Sequence, residues 1–431
     1  MTGILTYLRN NMGRSAAMLA AVIACFIYII SVDSSVSYWD CPEYVLTASS
    51  LQVGHPPGNP IWTLAMRVAT IPFPKSLHAL VINLCSSVFM ALAVFFLARI
   101  ICRFICYVLP DKLSRQYSEA LAAIVSFFSS LCFAVLDSTW YSAVEAEVYA
   151  FSTFLTALTI WLMLKWREAT SSESRSRWLI LTAYMLGLSL GVHQLNLLVI
   201  PVLALIFVFG RNPHTNAILK AWVAIPVSFL VVALVLIGLM PGAVEWAAQL
   251  ELLCVNRLGL PYFTGTLLYP LIFSAVAVLS VSFIPRDSRV MRFIFLTSLL
   301  WLSGLFLFHS HIVIALVLSI ITAFILLNII STRAILTSAW MLIMIWTGYS
   351  AISLILIRGY ASPPINESAP ADIFSFQRYI SREQYGSQPL FIGSTPFSRP
   401  MNMPTRRPIS TAAAQCTPFN INVPESIAAI P

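Results

Sequence analysis

The sequence predicts an all-α integral membrane protein of about eleven transmembrane helices with a long first outer loop. Three observations predict it. Hydrophobic residues make up 59% of 431 and charged residues only 10%. The mean hydropathy, +0.84, lies far above that of soluble globular domains. The apolar residues also fall in runs close to the roughly 20 residues that a helix needs to cross a bilayer. Hydrocarbon offers backbone N–H and C=O groups no partner, so such runs must be helices.

In chain order the segments lie near residues 15–31, 78–108, 120–136, 148–164, 178–191, 195–210, 221–240, 267–284, 293–308, 312–330 and 335–357. The first is too long for the apolar core of a signal peptide and lacks a small-residue cleavage pattern before Asp33, so it reads as a retained helix. Basic residues set the orientation. Arg9 and Arg14 precede the first segment. Arg103, Lys112 and Arg115 follow the second, Lys165 and Arg167 the fourth, Arg211 and Lys220 the sixth, Arg286 and Arg289 the eighth, and Arg333 the tenth. The alternate loops hold Asp33, Asp40, Glu43, Asp137, Glu145, Glu147, Glu245 and Glu251, with Arg67, Lys75 and Arg257 as exceptions. The expected topology therefore has a cytoplasmic N-terminus and acidic loops facing outward, in a bacterial cytoplasmic membrane. The net charge of +8 reflects this topology and gives no reason to expect nucleic-acid binding.

Two regions are expected: a multi-pass body over residues 1–358 and an outer, proline-rich tail over 359–431. The tail holds 11 of the chain's 25 prolines. It reads as loop, disorder or the start of a truncated outer domain, with an amphipathic stretch at 373–380 as its best helical candidate. Asn366-Glu-Ser forms a glycosylation sequon, a weak three-residue signal. The eight cysteines show neither a C-x-x-C pair nor metal-ligand spacing.

Candidate chemistry begins at Ser37–Pro60, SYWDCPEYVLTASSLQVGHPPGNP. Asp40-Cys-Pro-Glu43 fits a helix start, with Asp40 as N-cap and Glu43 reaching back. It also fits a pre-positioned base whose pKa partial burial raises. His55, ahead of Pro56-Pro57-Gly58, is either a stiff loop corner or a side chain presented to the site. Glu145 and Glu147 open the fourth segment beside Trp140, Tyr141 and Tyr149. The aromatics suit an interfacial belt, whereas an acid entering a membrane helix is a functional candidate, Glu147 the better of the two. His193, in Gly191-Val-His-Gln-Leu-Asn196, either caps a turn or reaches the same cavity. His309 and His311 lack metal-site spacing and read as solvated. Arg257 either binds an anionic phosphate or pairs with Glu251.

These blocks resemble a family within the GT-C glycosyltransferase superfamily that contains eukaryotic protein O-mannosyltransferases and bacterial multi-pass proteins. Asp40-Cys-x-Glu43 with Gly54-His-Pro-Pro-Gly58 is similar to its first-loop signature, Trp140 with Glu145-Ala-Glu-Val-Tyr149 to a second block, and Gly187-Leu-Ser-Leu-Gly191 with His193 to a third. Gly259-Leu-Pro261 and Ser381-Arg-Glu-Gln-Tyr-Gly386 are similar to segments of bacterial members. Pro42 departs from the glycine expected between the acids, and where family members generally continue into a larger outer domain, this sequence is expected to end in the proline-rich tail. The resemblance implies a GT-C-like fold and an inverting transfer of a sugar, mannose among the candidates, from a polyprenyl phosphate to a protein Ser/Thr hydroxyl. Asp40 and Glu43 would be the catalytic pair, with His55, Glu147, His193 and Arg257 binding substrate. No cofactor is expected, and a divalent metal finds no support in the residues. The competing expectations are a lipid or solute transporter or flippase, whose polar residues belong near mid-membrane, and a truncated non-catalytic relative.

Overall fold

The computed structural model describes residues 11–110, 113–211, 216–286, 288–308 and 310–386. They form α1 (Met12–Ser31), α2 (Cys41–Ser50), α3 (Pro60–Thr70), α4 (His78–Val108), α5 (Arg115–Ala134), α6 (Asp137–Val144), α7 (Tyr149–Glu168), α8 (Ser172–Leu190) and α9 (Ile200–Arg211). There follow α10 (Ala217–Ala233), α11 (Met240–Leu252), α12 (Thr264–Phe283), α13 (Arg289–Leu302), α14 (Ile312–Ile329), α15 (Thr332–Tyr349), α16 (Ser353–Tyr360) and α17 (Ile373–Ile380).

This is an all-helical, multi-pass membrane protein. Among the described residues, seven helical stretches are long and apolar enough to cross a bilayer, or eight if α6 and α7, bent by 114°, count as one. The other three of the eleven predicted segments coincide with helices that fall short of that standard. α9 and α13, at 12 and 14 residues, reach roughly 18 and 21 Å, against a hydrocarbon core of about 30 Å. α8 has the length, but Glu173, Arg175 and Arg177 occupy its first two turns. Hydropathy located the helices; their ends decide which of them are spans.

Small residues bring the helices together. α1 turns Ala17, Ala20, Ala24 and Tyr28, at three- and four-residue spacing, onto α4, and the Tyr28 hydroxyl donates to the Ala134 carbonyl at 2.8 Å. α8 and α15 touch backbone to backbone: a Cβ on Gly187 would lie 2.2 Å from the Ile345 carbonyl oxygen. A Cβ on Gly348 would lie 2.4 Å from the Leu188 nitrogen. Helices in lipid gain their association from such close packing. Outward-facing Phe26, Ile30, Trp222 and Val313 are exposed, as lipid contact requires.

The 32–77 loop is not loose. α2 and α3 pack as a pair on α4 and α7 through Tyr44, Ala48, Trp62, Met66, Ile82 and Phe151. Arg67, an exception to the charge pattern, turns back to donate to the Ser49 carbonyl at the end of α2. The first part of the predicted tail is equally built in. α17 forms over the expected residues and buries Ile373, Phe376, Tyr379 and Ile380 against Val244, Ala247 and Ala248 of α11. Its side chains also reach a buried acid, Gln377 donating to Glu245.

Ahead of α17 the chain pairs with the loop. Val53 N–H donates to Ile365 O at 3.1 Å, Glu367 N–H to Val53 O at 3.1 Å, and Ile365 N–H to Gln52 Oε1 at 2.7 Å. Asn366 lies inside this bridge, its amide donating to the Gly359 carbonyl at 3.1 Å. Its sequon thus serves the fold here. The rest of the predicted tail, with Cys416, and His309 lie outside the described residues.

Candidate active site

The first turn of α2 presents two acids in different ways. Trp39 has φ +62°, which sets Asp40 in a helical conformation rather than the extended one an N-cap needs. Its carboxylate makes no capping hydrogen bond and stays exposed. Glu43, one turn on, does not reach back to close a capping box. It accepts from His55 N–H at 2.8 Å and from His55 Nδ1 at 3.0 Å. The capping reading of Asp40-x-x-Glu43 is therefore corrected: the carboxylates are turned toward the loop and away from the helix end.

The turn after Glu43 is shaped to allow this. A Cβ on Gly54 would fall 2.4 Å from Glu43 Oε1, so only glycine lets the carboxylate in. Gly58 adopts φ +76°, and a Cβ there would lie 2.5 Å from Ile355 Cδ1 and 2.8 Å from the Tyr379 hydroxyl. The Pro56–Pro57 peptide is cis. Tyr379 holds the corner from the far end of the chain, donating to Gly54 O at 2.6 Å and contacting His55 O at 3.2 Å. Ile61 N–H reaches Gly191 O at 2.9 Å, which ties α3 to the turn that carries His193.

These elements enclose a cavity of about 300 Å³. Asp40, Glu43, His55, Tyr149, His193 and Arg382 line it. His193 packs edge-on to Tyr149 with ring centroids 5.4 Å apart. The turn below it is locked by Asn196, whose Oδ1 accepts from Ser152 Oγ at 2.5 Å and Thr156 Oγ1 at 3.0 Å. Glu147 sits behind the lining in the break between α6 and α7, ahead of the spanning helix. Its carbonyl accepts from Trp62 Nε1 at 3.2 Å, and the residue is 8% exposed.

The electrostatics separate the groups. The hydrogen bond that His55 donates to Glu43, with that carboxylate's charge and Asp40's, raises the His55 pKa despite burial. Burial pushes Glu43 up, but its two hydrogen bonds from His55 and the imidazolium charge outweigh burial, and its pKa is lowered. The two therefore form an ion pair. Burial, then the charges of Asp40 and Glu145, push Glu147 up to about 7. Burial, and then the Arg382 guanidinium, hold His193 below its usual value, so its imidazole is neutral near pH 7.

Five of the six predicted residues thus gather: Asp40, Glu43, His55 and His193 on the cavity wall, and Glu147 behind it. Arg257 does not join them. It is exposed at the end of the π-helical stretch Leu253–Arg257 that continues α11, and does not line the cavity. Glu251, its other expected partner, instead accepts from Phe263 N–H at 2.5 Å and Thr266 N–H at 2.8 Å. Arg382 was missed as a site residue, although its tail segment carried a motif signal. It reaches the cavity because α17 folds back over the loop. Among the described residues no group of three or more His, Cys, Asp and Glu side chains is arranged to hold a metal ion.

Within this geometry the chain can be compared with known proteins. Residues 40–216 match the family model described as the Protein O-mannosyl-transferase TMEM260 N-terminal domain. The mouse (Mus musculus) Protein O-mannosyl-transferase TMEM260 is 30% identical over 177 residues, which cover 41% of this chain and 23% of that protein. The comparison thus spans about a quarter of the relative's length. No solved structure matches the chain. Over residues 40–216 the chain is distantly homologous to TMEM260, in line with the motif resemblance. That stretch contains Asp40, Glu43, His55, Glu147 and His193, and it leaves out Arg257 and Arg382.

Proposed function

We propose, starting from that relationship, that the chain is a glycosyltransferase of GT-C type that moves a sugar, mannose being the first candidate, from a polyprenyl phosphate to a protein Ser/Thr hydroxyl. The reaction takes place in the Asp40 cavity at the outer membrane face. One observation carries the reading. Three separate sequence blocks, around residues 40–55, 149 and 193, line one polar cavity together with Arg382.

The residues divide the work of a single inverting displacement. The acceptor oxygen attacks the anomeric carbon as the bond from that carbon to the phosphate oxygen breaks. Asp40, exposed and unspent as a cap, takes the hydroxyl proton. The electron pair of the broken bond leaves on the phosphate, which gains negative charge. Arg382 is the cation for it, being the one arginine among the described lining residues. His193, neutral beside Arg382, donates a hydrogen bond to the same oxygens. The Glu43–His55 pair fixes the loop that carries both walls. Glu147, with its pKa near 7, sits behind Asp40 and adds less negative charge there than an ordinary carboxylate would.

The test uses purified protein, radiolabelled polyprenyl-phosphate sugars and a Ser/Thr-rich acceptor peptide. The wild-type chain is expected to transfer label. Asp40→Asn should lower kcat by about 10²–10⁴ with an unchanged thermal transition. Folded wild-type protein that transfers from none of these donors overturns the proposal.

A further inference from the structure

A second and larger cavity, about 660 Å³, lies between α7, α8, α9, α10 and α15 and shares no lining residue with the Asp40 site. It follows one face of α8, where Ser172, Arg175, Ser176, Leu179, Ala183, Leu186 and Leu190 recur at helical spacing. From Ser172 to Leu190 that face runs about 27 Å at 1.5 Å per residue, close to the thickness of one bilayer core.

The groove is charged at one end only. Arg167, Arg175 and Arg333 stand there, beside Ser176 and Thr337. The other end, under Leu190 and Leu197, is apolar. Leu190 and Leu197 flank the 191–195 turn that contributes to the Asp40 cavity, so the basic end is the one remote from it.

The arginines are held in place without being neutralised. Arg167 stacks on Tyr107 at 4.0 Å, and Arg175 Nε donates to the Ala169 carbonyl at 2.9 Å. Arg333 donates to Ser172 Oγ and pairs with Glu173 at 3.3 Å. That pair is solvent-exposed, and exposed pairs are weak. Glu168, beside Arg167, is taken by Arg103 and Lys165, so Glu173 is the one acid paired with the three guanidinium groups among the described residues, and the end is left positive.

We infer that this groove binds an anionic glycerophospholipid, its phosphate on Arg167, Arg175 and Arg333 and an acyl chain directed toward Leu190. The charge lies at one end and the remainder is apolar, which is the polarity of such a lipid. Basic pockets between membrane helices bind anionic headgroups in this way, and an apolar space lined by leucine holds no water. A polyprenyl phosphate seated for sugar transfer needs its phosphate at the opposite end, where the groove offers no cation.

Native mass spectrometry of the full chain, purified in neutral detergent and incubated with phosphatidylglycerol or phosphatidylcholine, tests this. Phosphatidylglycerol should be retained about tenfold more than phosphatidylcholine. Combined Arg167→Ala, Arg175→Ala and Arg333→Ala should bring the two lipids to parity, and the three Arg→Lys changes should preserve the preference. Ala204→Phe, which fills the apolar part of the groove, should reduce retention of phosphatidylglycerol with the arginines untouched. Should the triple alanine chain fail to fold, the single variants must each lower the preference. Equal retention of both lipids by the wild-type chain overturns the inference. So does a preference unchanged in the alanine variants, thermal stabilisation by inorganic phosphate equal to that by the lipid, or displacement of phosphatidylglycerol by polyprenyl phosphate.

Discussion

Asp40 and Asp372 occupy the same position relative to a helix, and only Asp372 caps it. Asp372 is extended (φ −139°, ψ 170°), accepts from Phe374 and Ser375 N–H, and donates its own N–H to Ser375 Oγ in return, a complete capping box. Asp40 follows a residue of positive φ, and its would-be partner Glu43 is engaged by His55. The pattern was legible at both sites, but backbone conformation, which no spacing reveals, decided between cap and free acid. The Glu43–His55 pair yields a prediction with a sign. His55, with its raised pKa, contributes stability that is complete below its ordinary 6.5 and lost as pH climbs through the folded value. Glu43, with its lowered pKa, contributes stability that is complete above its ordinary 4.5 and lost as pH falls through the folded value. The pair therefore contributes fully between those two ordinary values. Thermal melts of Glu43→Gln against wild type across pH 4–9 should show their widest gap in that window, narrowing on both sides. A gap that keeps widening above pH 8 would contradict the pairing.

Between helices, contact depends on residues that lack side chains. Gly187 and Gly348 let α8 and α15 meet at their backbones, and the same two helices form walls of the arginine-ended groove. Gly187→Val should cost about 1–3 kcal/mol of stability through overpacking, read as a lowered thermal transition. Gly259→Ala, where a Cβ meets nothing within 4 Å but φ is +63°, is the control for backbone strain without a clash. At this scale the helices themselves were readable, because apolar runs have only one way to satisfy their backbones in lipid. Their status as spans was not, because α8, α9 and α13 depend on where charges and helix ends fall. α17 was readable from its amphipathic pattern, but its destination on α11 was not.

Across the whole molecule, the cavity is built from both ends of the chain. Asp40, His55 and His193 stood out as polar residues in an apolar sequence, whereas Arg382 gave no positional sign. Its place depends on the Tyr379–Gly54 contact, which joins residues 325 apart. Ending the chain after Tyr360 should therefore remove two things together. Ile373, Phe376, Tyr379 and Ile380 each bury a large side chain, and each is worth roughly 1.5–3 kcal/mol when fully buried. Arg382 is lost with them. The shortened chain should melt at lower temperature and lose affinity for polyprenyl phosphate. Arg382→Ala should weaken that affinity while leaving the melt in place. Equal melting of shortened and full chains would mean that the tail only rests on the body. The same long contact also sets an order in time. Ribosomes add roughly 5–20 residues per second, so Gly54 leaves the tunnel roughly 15–65 s before Tyr379. For that interval Asp40 and His55 are present without the residues that complete their cavity. The acidic loop becomes a finished site only once α17 and Arg382 are made, and a nascent chain stalled earlier carries it incomplete.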